Sequence, residues 1–336
     1  MLKHGLFIIS FSICLLSCGD KSSRVDSTAV NNNSPSSYID SLNKAIVENP
    51  SNAKLFVLRA EYYESQNDLV RAAEELDRAK VIEPENCSHY SQKAKLLIAL
   101  RNYQGAVGEL QKCLAQNPED VGANLVMAEL LLRTEAYDEA VSFADRVLKV
   151  DVFNDEAYFI KGMIFKSAGD TSRAISSFLT ATEQNNSHYE AFLQLGLLYA
   201  IAGNDMAIDF YNNALRIDSS SIEVLYNRGL FEQSNNRVRT ALKTYSEILK
   251  LDSADAKAHY NKGYIYLTQI DELDSAAMSF EASIQAIPNW TDAVYNLGLV
   301  AELKGNREEA LQYYKNALAL DPTHTLSAKG LSRLGI

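Results

Sequence analysis

The side chains that could do chemistry in this chain are few and scattered. Its five histidines are His4, His89, His188, His259 and His324. No two of them stand at a spacing that would hold a metal. Forty-three aspartates and glutamates are available, but they fall at positions that read as the solvated faces of helices. There is no GxxxxGK[ST], no GxGxxG after a strand, no GxSxG and no HExxH. The chain is therefore expected not to be an enzyme and to need no cofactor or metal. What does recur is a dipeptide: Tyr226-Asn227, Tyr260-Asn261 and Tyr295-Asn296. Asparagine brings an amide donor and acceptor. Tyrosine brings area with a polar tip at low entropic cost. That is the chemistry of holding something rather than transforming it.

The elements that position these pairs are legible in the stretch Thr291–His324. Val294, Leu297, Gly298 and Ala301 form one apolar helix face. Gly305-Asn306 breaks the pattern, and Ala310, Leu311, Tyr314, Ala317 and Leu318 form a second face that Asp321-Pro322 ends. Gly298 and Ala310 are small where two antiparallel helices would cross. Seven weaker copies precede this one, starting at Ala53, Cys87, Val121, Asp155, Tyr189, Ile222 and Ala256. The small residue of the first helix is Ala60, Ala94, Ala128, Gly162, Gly196, Gly229, Gly263 and Gly298 in turn. That of the second helix is always alanine: Ala72, Ala106, Ala140, Ala174, Ala207, Ala241, Ala276 and Ala310. Five of the six prolines (Pro50, Pro84, Pro118, Pro288, Pro322) fall at one point after a second helix. Asn52, Asn86, Asp120, Asn154, Ser221 and Asp255 stand where N-caps belong. One hairpin cannot bury its own apolar faces, so the copies must stack.

These residues resemble the tetratricopeptide repeat, a 34-residue helix-turn-helix with small residues at positions 8, 20 and 27 and proline at 32. The resemblance implies an all-α fold, a right-handed α-solenoid of stacked antiparallel helix hairpins. Eight repeats are expected at 53–86, 87–120, 121–154, 155–188, 189–221, 222–255, 256–290 and 291–324. A half-repeat at 37–52 precedes them, and a capping helix at 325–336 follows, with Ala328 and Leu331 inward and Gly330 weakening it. The fifth repeat is one residue short between Ile201 and Met206. The seventh is one residue long between Thr268 and Ser275, and both changes are expected to disturb the stack locally.

Residues 1–17 read as a signal peptide. Lys3 is the positive region and Leu6–Leu16 the apolar run, too short to span a membrane as a mature helix. Leu15-Leu16-Ser17-Cys18-Gly19 resembles a bacterial lipobox, which makes Cys18 the lipidation site and 18–36 a disordered tether. Gly19 after the cysteine, rather than aspartate, implies the outer membrane, with the lipid as the sole membrane contact. Cys14 would leave with the signal. Cys87 and Cys113 would remain, at positions 1 and 27 of one repeat. An oxidising compartment would allow them to pair. Spacing alone does not bring them within bonding distance, and a small buried hydrophobe at Cys113 beside an incidental Cys87 is the simpler reading.

The formal charge is −11, and loss of Lys3 with the signal makes it −12. So acidic a surface argues against nucleic acid, whose backbone needs a basic track. In the family that this chain resembles, first-helix positions 2, 5, 6, 9, 12 and 13 line a concave groove. Carried over, repeats three to five present an aliphatic zone that includes Phe159, Met163, Leu193, Leu197 and Ile201. Repeats six to eight present Tyr226, Asn227, Tyr260, Asn261, Tyr295 and Asn296, with Leu230, Tyr264 and Leu299 one turn on. The asparagines would form an amide ladder for the backbone of an extended peptide. The plainer alternatives are that Tyr-Asn is repeat consensus and that some aliphatic side chains pack between helices. The carboxylate clamp of some family members needs lysine and arginine at positions 2, 5 and 6. Here Lys257 sits at position 2, but Asn261 holds position 6 beside it and no arginine follows, and Glu156, Glu190, Glu223 and Asp292 hold position 2 in four other repeats. The expectation is an envelope scaffold that binds proteins or peptides for assembly, secretion or wall remodelling. A carrier for a glycan or small ligand, with the tyrosines as stacking platforms, is the alternative.

Overall fold

The computed structural model describes residues 35–336. The expected signal peptide, Cys18 and the expected tether as far as 34 lie outside the described residues. The rest is helical, with no strand among the described residues. Helix α1 is Pro35–Glu48, so Pro35 and Ser36, expected to end the tether, begin a helix instead. Then come α2 (Ala53–Ser65) and α3 (Leu69–Ile82), α4 (Cys87–Ala99) and α5 (Tyr103–Gln116), α6 (Val121–Arg133) and α7 (Tyr137–Val150), and α8 (Asp155–Ser167) and α9 (Thr171–Gln184). The stack continues with α10 (Tyr189–Ile201) and α11 (Met206–Ile217), α12 (Ile222–Ser234) and α13 (Val238–Leu251), α14 (Ala256–Ile265) and α15 (Leu273–Ala286), and α16 (Thr291–Leu303) and α17 (Arg307–Leu320). Helix α18 (Thr325–Arg333) closes it. Each pair is a hairpin that packs on the next, so the core runs along the stack as a series of adjoining clusters.

All eight first helices start at the residues expected. Asn52, Asn86, Asp120, Asn154, Ser221 and Asp255 each accept a backbone N–H of the first turn, as N-caps should. The irregular repeats resolve into two different devices. In the fifth, α11 is shortened to 12 residues and begins only at Met206. In the seventh, the extra residue goes into the helix, as a π-helical turn over Tyr266–Ile270, before Asp271 takes a left-handed φ of 63°.

Packing explains why the small residue is alanine in repeats one to three and glycine in repeats four to eight. An added Cβ at Gly162 would meet the Phe178 ring at 2.5 Å, and one at Gly196 would meet the Tyr211 ring at 2.5 Å. Gly229, Gly263 and Gly298 face Tyr245, Phe280 and Tyr314 in the same way. Where alanine stands instead, the corresponding second-helix residue is Leu76, Leu110 or Ala144. The aromatic ring and the missing methyl occupy one volume.

Two expectations are corrected. Cys87 and Cys113 are joined as a disulfide, with Cα atoms 5.1 Å apart. The reason is the hairpin: α5 runs back along α4, so the end of the second helix returns to the start of the first. In the cap, Ala328 faces solvent, while Ser327, Gly330 and Leu334 point inward and Leu331 is half-buried. Gly330 does not simply weaken α18. Its bare Cα lets the ring of Tyr314 lie where a Cβ would meet it at 2.6 Å.

A brace between repeats was missed. Position 7 of a first helix carries a cation in five repeats, and each reaches back sixteen residues to the preceding second helix. The pairs are Arg59 with Asn43, Lys93 with Asp77, Lys161 with Asp145, Arg228 with Asn212 and Lys262 with Ser246. Met127, Leu195 and Leu297 hold that position elsewhere.

Candidate functional site

The groove candidates divide by burial. Phe159 and Leu193 are core residues, only 7% and 3% exposed. Phe159 lies between the Phe178 ring (centroids 5.7 Å apart) and His188 (4.8 Å). As groove surface they are corrected: at position 5 the side chain turns toward its own second helix. The three tyrosines at the same position are half-buried for the same reason. Tyr226 packs on Tyr245, and Lys257 lies over its ring. Tyr260 stacks on Trp290 with centroids 4.6 Å apart and planes 14° from parallel, and it meets Phe280 edge-on. Tyr295 sits between Tyr314 and His324. Burial pushes the Tyr260 hydroxyl well above the ordinary tyrosine range and raises that of Tyr295.

These contacts reveal a device that the sequence reading passed over. The residue just before a first helix is a ring in three repeats, His188, Trp290 and His324, and each covers the position-5 ring of the repeat before it. The signal was present as a gap in the N-cap series, where a histidine or tryptophan stood in place of asparagine, aspartate or serine. His188 and His324 still cap their helices through Nδ1. His324 Nε2 is 3.2 Å from Asp292, and His188 lies 3.7 Å from Glu156 and 3.6 Å from Glu190. Burial raises the Glu156 carboxyl, against the pull of His188 and with the push of Glu129, Asp155 and Glu190.

The asparagines do not form an open ladder. Asn296 is 5% exposed and donates through Nδ2 to the Tyr260 hydroxyl oxygen at 3.1 Å, which joins repeats seven and eight. Asn261 is 7% exposed, with its Nδ2 buried and without a partner. Only Asn227 remains half-exposed. What stays open is position 9. Met163, Leu197, Leu230, Tyr264 and Leu299 follow one another along five consecutive first helices. Leu230 is 38% exposed and Tyr264 39%, while Met163, Leu197 and Leu299 are half-buried. In the first three repeats that row is Glu61, Lys95 and Glu129. The apolar row therefore crosses the border between the two expected zones and makes them one surface.

A stacked array of helix hairpins with a lateral apolar row along five first helices defines the class: a solenoid scaffold for protein–protein interaction. The chain belongs to the tetratricopeptide repeat family, whose profiles match residues 97–160, 155–188, 226–289 and 291–324, together more than half of its length. It is 22% identical over 201 residues to the TPR repeat-containing protein MJ1428 of Methanocaldococcus jannaschii. That match takes in 57% of this chain and 35% of the relative, so the chain spans about a third of the length of that protein. Among solved structures, it is similar to the C-terminal part of a TPR repeat-containing protein from Cytophaga hutchinsonii. The TM-score is 0.63 at 19% identity, over 72% of this chain and 99% of the other. It is also similar to MamA, with a TM-score of 0.46 at 27% identity, over 49% of this chain and 96% of that one.

Proposed function

We propose that this protein is a lipid-anchored scaffold of a bacterial envelope, best described by what it holds: a protein or extended peptide laid along the first helices. The observation that carries the reading is the position-9 row from Met163 to Leu299. Contiguous apolar surface flanked by polar groups marks a partner site more often than it marks idle surface. Leu230 and Tyr264 are its most open members and are the residues to test first. Photo-reactive amino acids placed at Leu230 and Tyr264 in living cells are expected to yield discrete protein adducts. Adducts found only from the second helices would overturn the groove reading.

The anchor rests on the sequence alone: an apolar run of eleven residues, Leu6–Leu16, followed after Ser17 by Cys18-Gly19. No helix among the described residues is long and apolar enough to cross a membrane, so the lipid would carry the attachment. Gly19 favours the outer membrane, and the pathway served would be assembly, secretion or wall remodelling. Cys18→Ala is expected to release the protein from membranes and to abolish labelling by a fatty-acid probe. A variant that stayed bound would sink the anchor. The alternative of a glycan stacked on the tyrosines has weaker support, because Trp290 and His324 already lie against the rings of Tyr260 and Tyr295.

A further inference from the structure

The groove's charges are unevenly placed. Acids stand at position 2, near the start of the first helices, at Glu156, Glu190, Glu223 and Asp292. Lys166 stands at position 12 of α8, about 15 Å away along the helix at 1.5 Å per residue. It is half-buried. Its Nζ donates to Gln194 Oε1 at 2.5 Å, and Gln194, on the next first helix, is only 4% exposed. Among other partly buried lysines, Lys80 reaches Glu109, Lys93 reaches Asp77 and Lys161 reaches Asp145, while Lys262, at position 7 between helices, donates to the Ser246 hydroxyl. Lys166 has no carboxylate within ion-pair distance among the described residues. Burial lowers its pKa, with no neighbouring charge to oppose the shift.

An ammonium held partly out of water without a counter-ion is an unfavourable arrangement unless something else supplies the charge. One of its three N–H groups is taken by Gln194, leaving two to donate. The flanks are apolar. Met163 lies one turn before Lys166, and Leu197 and Ile201 follow Gln194 along α10, with Ile201 71% exposed. We propose that Lys166, oriented by Gln194, is a carboxylate subsite of the groove, with Met163, Leu197 and Ile201 receiving the apolar side chain beside that carboxylate. The carboxylate is either the C-terminus of a bound peptide or an aspartate or glutamate within it. The acids at position 2 then favour a cationic group at the opposite edge, so the bound segment has a preferred direction across the groove. This subsite uses positions 12 and 6, not the lysine and arginine of positions 2, 5 and 6. It rests on the reading of the groove as a peptide site.

The test uses the full-length protein and a random peptide library synthesised with free C-termini. Binders are then remade with an amidated C-terminus, or with asparagine and glutamine for the acids. The expected result is a loss of roughly tenfold to a hundredfold in affinity, the scale of a charge-assisted hydrogen bond, from one of these changes. Loss on amidation identifies the C-terminus, and loss on the acid-to-amide change identifies a side chain. Lys166→Gln should erase that difference, while Lys166→Arg keeps most of it. If Lys166→Gln preserves the full discrimination, the subsite is wrong although the groove stands. If Leu230→Asp with Tyr264→Asp leaves binding intact, or no library peptide binds the wild type, the groove reading fails and takes the subsite with it. Circular dichroism and melting of each variant separate lost binding from lost folding.

Discussion

Gly162 and its four counterparts show how one methyl group is decided by a partner sixteen residues or so away. Gly162→Ala puts a Cβ at 2.5 Å from the Phe178 ring, a separation that forces the ring or the helix to move. The expected cost is about 1–3 kcal/mol, typical of overpacking, read as a lower urea midpoint at unchanged slope. Gly162→Ala with Phe178→Leu should recover much of it, because that pair already exists as Ala94 with Leu110 in the second repeat. Recovery no better than the single variant would show that the ring is not what requires glycine. The tyrosines divide at the same scale. Tyr260→Ala removes a ring packed between Trp290 and Phe280, so it should lower stability by roughly 2–4 kcal/mol. Tyr264→Asp, at a far more open site, should leave the melting temperature nearly unchanged and weaken partner capture at least tenfold. Equal effects of both on stability would refute that division.

Helices α4, α5 and α18 carry their own tests. The disulfide Cys87–Cys113 closes a loop with a sequence separation of 26. By loop entropy it should contribute about 3–4 kcal/mol, a model-dependent figure. Cys87→Ala with Cys113→Ala, or reduction of the wild type, should lower the unfolding midpoint accordingly, and a shift too small to measure would contradict a bonded pair in the native chain. At the other end, Arg333 grips Glu302 with bonds of 2.8 and 2.7 Å, and Tyr314 donates to the same carboxylate. The Arg333 bonds hold the Glu302 carboxyl below its ordinary value. A depressed carboxylate pKa gives stability that is complete above the unfolded value, roughly 4.3, and is lost as pH falls through the folded value. Methyl signals of Leu334 and Ile336 should therefore report loosening of α18 in acid while the repeats persist. Glu302→Gln should remove the pH step, and its survival there would assign the titration to another group.

At the scale of the whole molecule, the solenoid turns eight weak patterns into one surface. Repeats four to eight share glycine at position 8, an aromatic ring opposite it in the second helix and an apolar residue at position 9. Repeats one to three have none of these, and they carry the disulfide and the Glu61, Lys95 and Glu129 face. The array is thus divided between a proximal part that carries the disulfide and a distal part with the apolar row. Transplanting charge onto that row, as Leu230→Asp with Tyr264→Asp, should cost binding and little stability. The same substitutions at Leu195 or Ile265, both fully buried, should prevent folding of the neighbouring repeats, because each repeat relies on the one beside it.

The sequence by itself determined the class of fold, the register and the start of every first helix. It could do so because helix periodicity, caps and terminating prolines are local signals that recur every 34 residues or so. It also carries the lipobox-like run that ends at Cys18, the basis of the proposed anchor, which lies outside the described residues. Only the tertiary structure decided which groove candidates face outward. Phe159, Leu193, Asn261 and Asn296 occupy groove positions by pattern, yet all four are buried: Phe159 lies against Phe178 and His188, Leu193 is in the same core cluster, and Asn296 bonds Tyr260 across a repeat boundary. The pairing of Cys87 with Cys113 and the inward turn of Gly330 were settled the same way. Each depends on contacts between residues far apart in sequence, and no local spacing encodes how closely two helices approach.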